Sequence, residues 1–303
     1  MNADLSVVLC GVRLKNPVIA ASGTFGFGFE YGEFFDVSIL GGISTKGLTP
    51  KRREGNPSPR VAETPSGILN AVGLQNPGID EFISSILPRM KVMGTAVIAN
   101  VAGSSVEDYA LMTEKLRSTG VDMVELNISC PNVKEGGVAF GVDPKMVERV
   151  TKAAKKYCAQ PLMVKLTPNV SRIADNAKAA EAGGADAVSL INTITGMAID
   201  PVARRRILAN GTGGLSGPAV KPVALRMVYE VSRAVGIPVV GMGGIMTGKD
   251  AAEFMLAGAT AVMAGSATVF DPLALPRIIK ELEEFCEQNH IAAVRELTGA
   301  LID

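Results

Sequence analysis

The sequence predicts a closed (β/α)8 TIM barrel, and three observations carry that prediction. Short apolar, β-branched runs recur eight times along the 303 residues, amphipathic stretches fall between most of them, and glycines gather where several runs end. Alternating strand and helix implies a parallel sheet, and eight repeats imply that it closes on itself. An open doubly wound sheet is the rival arrangement. It would want a GxGxxG turn opening the first βα unit with an acidic residue downstream, and the chain has none there. Parallel barrels of this length commonly form one domain, so residues 1–303 are expected to be a single unit.

The strands read, in order, as PVIAAS (17–22), ILGGISTK (39–46), TAVIANV (95–101), VDMVELNIS (121–129), PLMVKLT (161–167), ADAVSLIN (185–192), IPVVGMGG (237–244) and TAVMAGS (260–266). Asp143 and Pro144 make an N-cap and first-turn pair for a helix through Tyr157, with Val147, Val150, Ala154 and Tyr157 on one face. Ser171 is expected to cap the next helix, which turns Ile173, Ala174, Ala177 and Ala180 inward and stops at Gly183 and Gly184. Another helix is expected to begin near Gly78. The opening SVVLCGVRLKNP (6–17) reads as an N-terminal hairpin that could cover the N-terminal mouth of the barrel. Two segments exceed a minimal barrel: residues 47–77, rich in proline and polar side chains, and residues 193–217. Both are expected as long loops at the C-terminal face, where long loops tend to carry function.

Thirty basic and thirty acidic residues cancel, so no global field favours nucleic acid or an anionic membrane, and a small molecule is the simpler partner. No apolar run reaches the length of a membrane span, and LSVVLCGV lacks the basic start and small-residue cleavage site of a signal peptide. A cytoplasmic protein is expected. Cys10, Cys130, Cys158 and Cys286 lie far apart with no CxxC pair, so neither a zinc site nor an iron–sulfur cluster is encoded locally, and no metal is expected. The single histidine, His290, stands in the charged segment EEFCEQNH as a solvated helix residue, which removes histidine triads from contention.

A barrel builds its active site at the C-terminal ends of its strands. Here the tips are polar: Ser22, then Thr45 and Lys46, Asn100, Asn127, Lys165, Asn192 with Thr193, Gly243 with Gly244, and Gly265 with Ser266. Any one of them is an ordinary turn residue, but together around one ring they read as a ligand cradle. GMGGIMTGKD and AGS, after the last two strands, offer bare backbone N–H groups where barrels often bind phosphate. The amides suit a planar ring with alternating donors and acceptors, such as a flavin or a pyrimidine. Lys165, ending PLMVKL, would be a buried cation in need of an anion, which a reduced flavin would supply. With no histidine and no acid at these tips, Cys130 is the natural proton acceptor, its pKa of about 8.5 open to lowering by lysines. Cys10, Cys158 and Cys286 sit in apolar or helical contexts that suit inert thiols.

Over nearly the whole chain these residues resemble the class 1 dihydroorotate dehydrogenases. The matching stretches are STKG (44–47), NAVGLQNPG (70–78), NISCPNVKEGG (127–137), VKLTPN (164–169), INT (191–193), GGLSGPAVKP (213–222), GMGGI (241–245) and AGS (264–266). The resemblance implies oxidation of dihydroorotate to orotate with bound FMN in pyrimidine biosynthesis, and Cys130 as the base. It implies substrate contacts from Lys46, Asn70, Ala71, Val72, Gly73, Leu74, Asn127, Asn192 and Thr193. It implies cofactor contacts from Ser22, Lys46, Gly47, Asn100, Asn127, Lys165, Ile191, Gly217, Gly243, Gly244, Gly265 and Ser266. GLQNPG and NVKEGG resemble the NAD-dependent subgroup, class 1B. In that subgroup the catalytic chain pairs with an electron-transfer iron–sulfur flavoprotein subunit holding FAD and a [2Fe–2S] cluster, commonly as a homodimer core within a heterotetramer. The glycine-hinged VKEGG loop (133–137) is expected to act as a lid.

The fumarate-dependent subgroup, which tends to read GLPN and lacks VKEGG, is the alternative. A flavin-dependent tRNA dihydrouridine synthase should show a basic RNA-binding face, which a neutral chain does not promise. A scaffold barrel that only binds phosphate would account for GMGGI but not for Cys130 together with Lys165. The clusters KRR (51–53) and RRR (204–206) read as solvated loop faces before they read as docking sites.

Overall fold

The computed structural model describes residues 3–129 and 140–302. Eight strands carry the barrel: β1 (Val18–Ala20), β2 (Gly42–Ser44), β3 (Ala96–Val101), β4 (Met123–Asn127), β5 (Leu162–Lys165), β6 (Ala187–Leu190), β7 (Val239–Met242) and β8 (Ala261–Ala264). Each falls inside one of the eight expected runs. Every neighbouring pair is parallel and β8 pairs back onto β1, so the sheet closes in chain order. Apart from half-buried Ala96, every strand residue is buried, the consequence of being covered by barrel interior on one face and helices on the other.

The helices start where side chains satisfy their free N–H groups. Ser105 and Asp108 form a reciprocal capping box on Val106–Leu116, and Thr247 and Asp250 do the same for Gly248–Leu256. Asp143 accepts from the Lys145 N–H at the head of Pro144–Lys155, as expected, and Val147, Val150 and Ala154 are buried. Tyr157 lies past the end of that helix and is half-buried. Ser171 does not cap the next helix: Ile173–Ala182 begins after Arg172 with no side-chain cap, and Ser171 is exposed. The inward face there is Ile173, Asn176, Ala177, Ala179 and Ala180, with Ala174 half-buried, and the left-handed Gly184 ends it. Residues 79–91 form one helical stretch interrupted by a π turn over Phe82–Ile86, just before Pro88, which cannot donate back to the preceding turn. Among the described residues no helix is long and apolar enough to cross a membrane.

The N-terminal hairpin pairs Val7–Leu9 with Val12–Leu14 through a two-residue turn, Cys10 and Gly11, both at positive φ. Cys10 Sγ donates to the carbonyl of Asp186, one residue before β6, at 3.1 Å. The hairpin therefore sits at the N-terminal end of the strands, as expected. Its thiol is pushed up to about 11, first by burial.

The two excursions are not separate loops. Ile194–Met197, Thr212–Ser216, Gly67–Asn70 and Val61–Thr64 form a four-stranded antiparallel sheet in that order, so the second excursion pairs with the first. Ala62, Leu69 and Leu208 make its small buried cluster. The join between the excursions is close: a β-carbon on Gly67 would stand 2.1 Å from the Ser216 carbonyl oxygen. Gly67→Ala must push the two strands apart, and overpacking of this kind costs about 1–3 kcal/mol. Thermal unfolding of the purified variant should show a lowered midpoint; an unchanged midpoint would mean that the two excursions do not pack this way.

Candidate active site

A cavity of about 590 Å³ opens between the C-terminal ends of the barrel strands and the four-stranded sheet, a size suited to a cofactor or small ligand. Its floor includes Ser22 after β1, Lys46 and Gly47 after β2, Asn127 and Ser129 at the end of β4, and Lys165 and Thr167 at the end of β5. Ile191, Asn192 and Thr193 follow β6, Gly243 and Gly244 follow β7, and Gly265 and Ser266 follow β8. Asn70, Ala71, Val72, Gly73 and Leu74 join the wall from the first excursion, facing Gly213 to Ser216 from the second. Among the described lining residues there are two lysines and no aspartate or glutamate.

The polar tips are held in defined orientations. Asn127 Oδ1 accepts from Ser129 Oγ at 2.7 Å and from Asn192 Nδ2 at 3.4 Å, which leaves Asn127 Nδ2 without an acceptor among the described residues. Asn192 Nδ2 also donates to Ser129 Oγ, and Asn192 Oδ1 accepts from the Thr193 N–H at 2.8 Å. The 70–74 segment is pinned from behind. Asn56 donates its N–H to the Val72 carbonyl and Nδ2 to the Ala71 carbonyl, and Asn76 Nδ2 donates to the Leu74 carbonyl. Gly73 and Leu74 both have positive φ, a loop shape that the surrounding bonds must enforce at Leu74.

Lys165 is 4 % exposed and ends an otherwise apolar strand, yet no carboxylate or hydrogen-bond acceptor among the described residues reaches its ammonium. Among the described residues Lys46 Nζ has only a long bond, 3.4 Å, to the Gly23 carbonyl. Burial, and secondarily the Arg60 guanidinium, hold the Lys46 pKa below the usual lysine range. Arg60 is kept in place by donating to Gln75 Oε1 at 2.5 Å. In the same lining, Gly243 and Gly244 have positive φ, and a β-carbon at either would come within 2.8 Å of packed atoms. No described residue accepts from their N–H groups. They form a bare donor cradle of the kind that holds phosphate. Lys221, nearby, is already bound to Asp250 at 2.6 Å and Glu253 at 2.9 Å, so it does not neutralise an anion there.

Two expected contact residues do not line the cavity. Asn100 is fully buried, directly behind Gly47, where a β-carbon would lie 3.1 Å from Asn100 Oδ1. That oxygen has no hydrogen-bond donor among the described residues. Gly217 instead packs on Gly67, a β-carbon there falling 2.6 Å from the Gly67 Cα. Cys130 and the VKEGG loop lie outside the described residues; Ser129, the residue before Cys130, lines the cavity. Sequence reasoning missed Thr24, whose buried Oγ1 also lacks a partner among the described residues, and Thr167 and Asn169, which follow Lys165 in VKLTPN. It also missed Glu125, fully buried in β4, although a charged residue inside VDMVELN was a visible signal.

Two orphaned acceptor-bearing side chains, free backbone donors and an unpaired cation are complementary to a flat, polar-edged, phosphate-bearing ligand. Comparison with known proteins gives the site its context. The family model described as dihydroorotate dehydrogenase matches residues 4–286. A protein of Alkaliphilus metalliredigens (strain QYMF) named "Dihydroorotate dehydrogenase B (NAD(+)), catalytic subunit" is 56% identical over 298 residues, 98% of this chain and 99% of that relative. Proteins of the same name from Geotalea uraniireducens (strain Rf4) and Thermoanaerobacter sp. (strain X514) are each 54% identical, over 300 residues (99% and 98% of the two chains) and 298 residues (98% and 99%) respectively. The chain therefore belongs to the dihydroorotate dehydrogenase family of oxidoreductases.

Proposed function

We propose that this chain is the FMN-holding catalytic subunit of an NAD-linked dihydroorotate dehydrogenase, oxidising dihydroorotate to orotate in the cytoplasm. The observation that carries the reading is Lys165, a cation buried at the cavity floor that, among the described residues, has no counter-charge in a lining without acids. Relatives along the whole chain bear the corresponding name.

FMN, when bound, supplies the acceptor for the hydride that leaves C6 of dihydroorotate, and its reduced form carries negative charge. Gly243, Gly244, Gly265 and Ser266 would hold its phosphate through backbone N–H groups, and Lys165 would stabilise negative charge on the ring. Lys46 would bind the substrate carboxylate. The Asn127 Nδ2 left without an acceptor would donate to the substrate or the ring edge, with Asn70, Asn192 and Thr193 completing the ring's polar contacts. Cys130, outside the described residues, would take the C5 proton as thiolate. Much of the rate would come from the walls holding the substrate so that its two reacting C–H bonds meet the base and the flavin together. Electrons would leave to a partner subunit carrying FAD and a [2Fe–2S] cluster, in an assembly built on a homodimer of this chain. The words "catalytic subunit" in the relatives' names support such a partner.

Two outcomes test the reading. Dihydroorotate should bleach the flavin of the purified chain rapidly, and Cys130→Ala should keep its flavin while slowing that reduction by roughly 100- to 10,000-fold in stopped flow. Near-normal bleaching in the variant would defeat Cys130 as the base. The second outcome concerns pH. Only the ammonium form of Lys46 holds a carboxylate, so orotate affinity is full below the Lys46 pKa and is lost as pH rises through it. Because that pKa is lowered, the loss should begin below the ordinary lysine range, and Lys46→Gln should bind weakly with no such decline. Wild-type affinity that stays constant until pH 10.5 or above would contradict this.

A further inference from the structure

Glu125 is the fully buried carboxylate that the roles above leave unused. Its Oε2 accepts from Ser44 Oγ at 2.7 Å and from Asn100 Nδ2 at 2.5 Å, and its Oε1 accepts from Ser189 Oγ at 2.7 Å. The three donors come from β2, β3 and β6, so the carboxylate ties four strands together inside the barrel. No lysine or arginine among the described residues pairs with it.

An asparagine amide has nearly the same shape either way round, so its partners decide which end faces where. An acceptor oxygen on one side of Asn100 admits only its NH2 group. Oδ1 is therefore turned the other way, behind Gly47, where it stands fully buried with no donor among the described residues. A buried acceptor without a donor is destabilising, and a ligand donor reaching past Gly47 would remove that penalty. Gly47 adds no side chain there, and Leu74 Cδ2, 3.1 Å from where a Gly47 β-carbon would stand, is the group that a ligand donor has to displace.

We propose that Glu125 is a positioning residue: by holding Asn100 Nδ2 it presents Asn100 Oδ1 as a fixed acceptor to an N–H or O–H donor of the bound flavin nucleotide. The inference rests on the flavin reading above. It differs from a structural role in that Glu125 acts on the cofactor only through Asn100, so the two residues must be coupled.

Glu125→Gln retains size and one acceptor oxygen, and its NH2 group can donate to the serine hydroxyls. It can also turn that NH2 toward Asn100, which frees the Asn100 amide to reverse. Asn100→Ala removes the acceptor itself. FMN dissociation constants of the two single variants and the double variant, measured by quenching of flavin fluorescence on adding apoprotein, form a double-mutant cycle. Each single variant should weaken FMN binding about tenfold, the worth of one hydrogen bond, and the double variant should also weaken it about tenfold, not a hundredfold. Both should shift the visible spectrum of the bound flavin in the same direction. Glu125→Asp, which withdraws the carboxylate by one methylene, should behave as Glu125→Gln and carries the test if the glutamine variant does not fold. Ser189→Ala removes a donor from the other carboxylate oxygen; it should lower the melting temperature without changing FMN affinity.

Additive losses in the double variant would overturn the inference, as would FMN affinity in Glu125→Gln equal to wild type while Asn100→Ala is weakened. Ser189→Ala weakening FMN as much as Glu125→Gln would overturn it too, because general loosening of the barrel would then suffice. A wild-type chain that binds no FMN would overturn the flavin reading and this inference with it; a wild-type chain that binds FMN leaves the cycle to decide the inference alone.

Discussion

A lysine ammonium buried without a counter-charge is the constraint on which the site depends. Lys165 ends a strand whose other residues are fully buried and apolar, and its own exposure is 4 %. The ammonium faces the cavity that Lys165 lines, and a cation held against apolar walls is stabilised by an anion or acceptors placed beside it. The lining offers no acid to do so among the described residues. The fold therefore holds a local electrostatic deficit at the floor of a ligand-sized cavity. Binding a nucleotide whose ring takes up negative charge on reduction offsets that deficit, and such a ligand stabilises the folded chain by mass action. Under this account the charge is placed before the reaction begins, so little reorganisation is needed when electrons arrive.

The barrel does contain a buried carboxylate close by in sequence register. Asn127 pairs in register with Lys165, and Glu125 lies two residues before Asn127 on the same strand. The two charged groups nevertheless form no ion pair, because Glu125 is occupied by two serine hydroxyls and the Asn100 amide. Had Glu125 closed on Lys165, the lysine would be satisfied internally and the floor of the cavity would be neutral. The hydroxyls of Ser44 and Ser189 thus keep the carboxylate in the barrel interior and leave the lysine to the ligand. Sites of this kind break the usual rule that buried charges are paired, and such exceptions concentrate where proteins act.

Much of this architecture was legible in the sequence. All eight barrel strands fall within the apolar runs because strands buried on both faces read as continuous Val, Ile, Ala and Met segments. The ring of polar tips was legible because each follows such a run by one or two residues. The four-stranded sheet was not, because its strands are short, contain Gly and Thr, and pair Asn70 with Gly214 across a long stretch of chain. Local periodicity carries no information about such pairing. Ser171 failed as a cap because the helix starts one residue later than the nearest capping side chain suggests. Gly217, expected as a ligand contact, does not line the cavity, and its missing side chain serves a close approach to Gly67 that the sequence does not show. Asn100 was placed correctly at a strand end, but its amide lies behind Gly47, and only three dimensions reveal the Glu125 contact that sets its orientation.

The reduction potential of the bound flavin in Lys165→Met, compared with the wild-type chain, tests the central claim most directly. Methionine fills the site without the charge, so the reduced, negatively charged form should lose its stabilisation. The account predicts a lower potential, with FMN held less tightly, by roughly 10- to 100-fold for the loss of a charge-assisted contact. A potential and an affinity both unchanged would show that the buried ammonium is not what the cavity is built around.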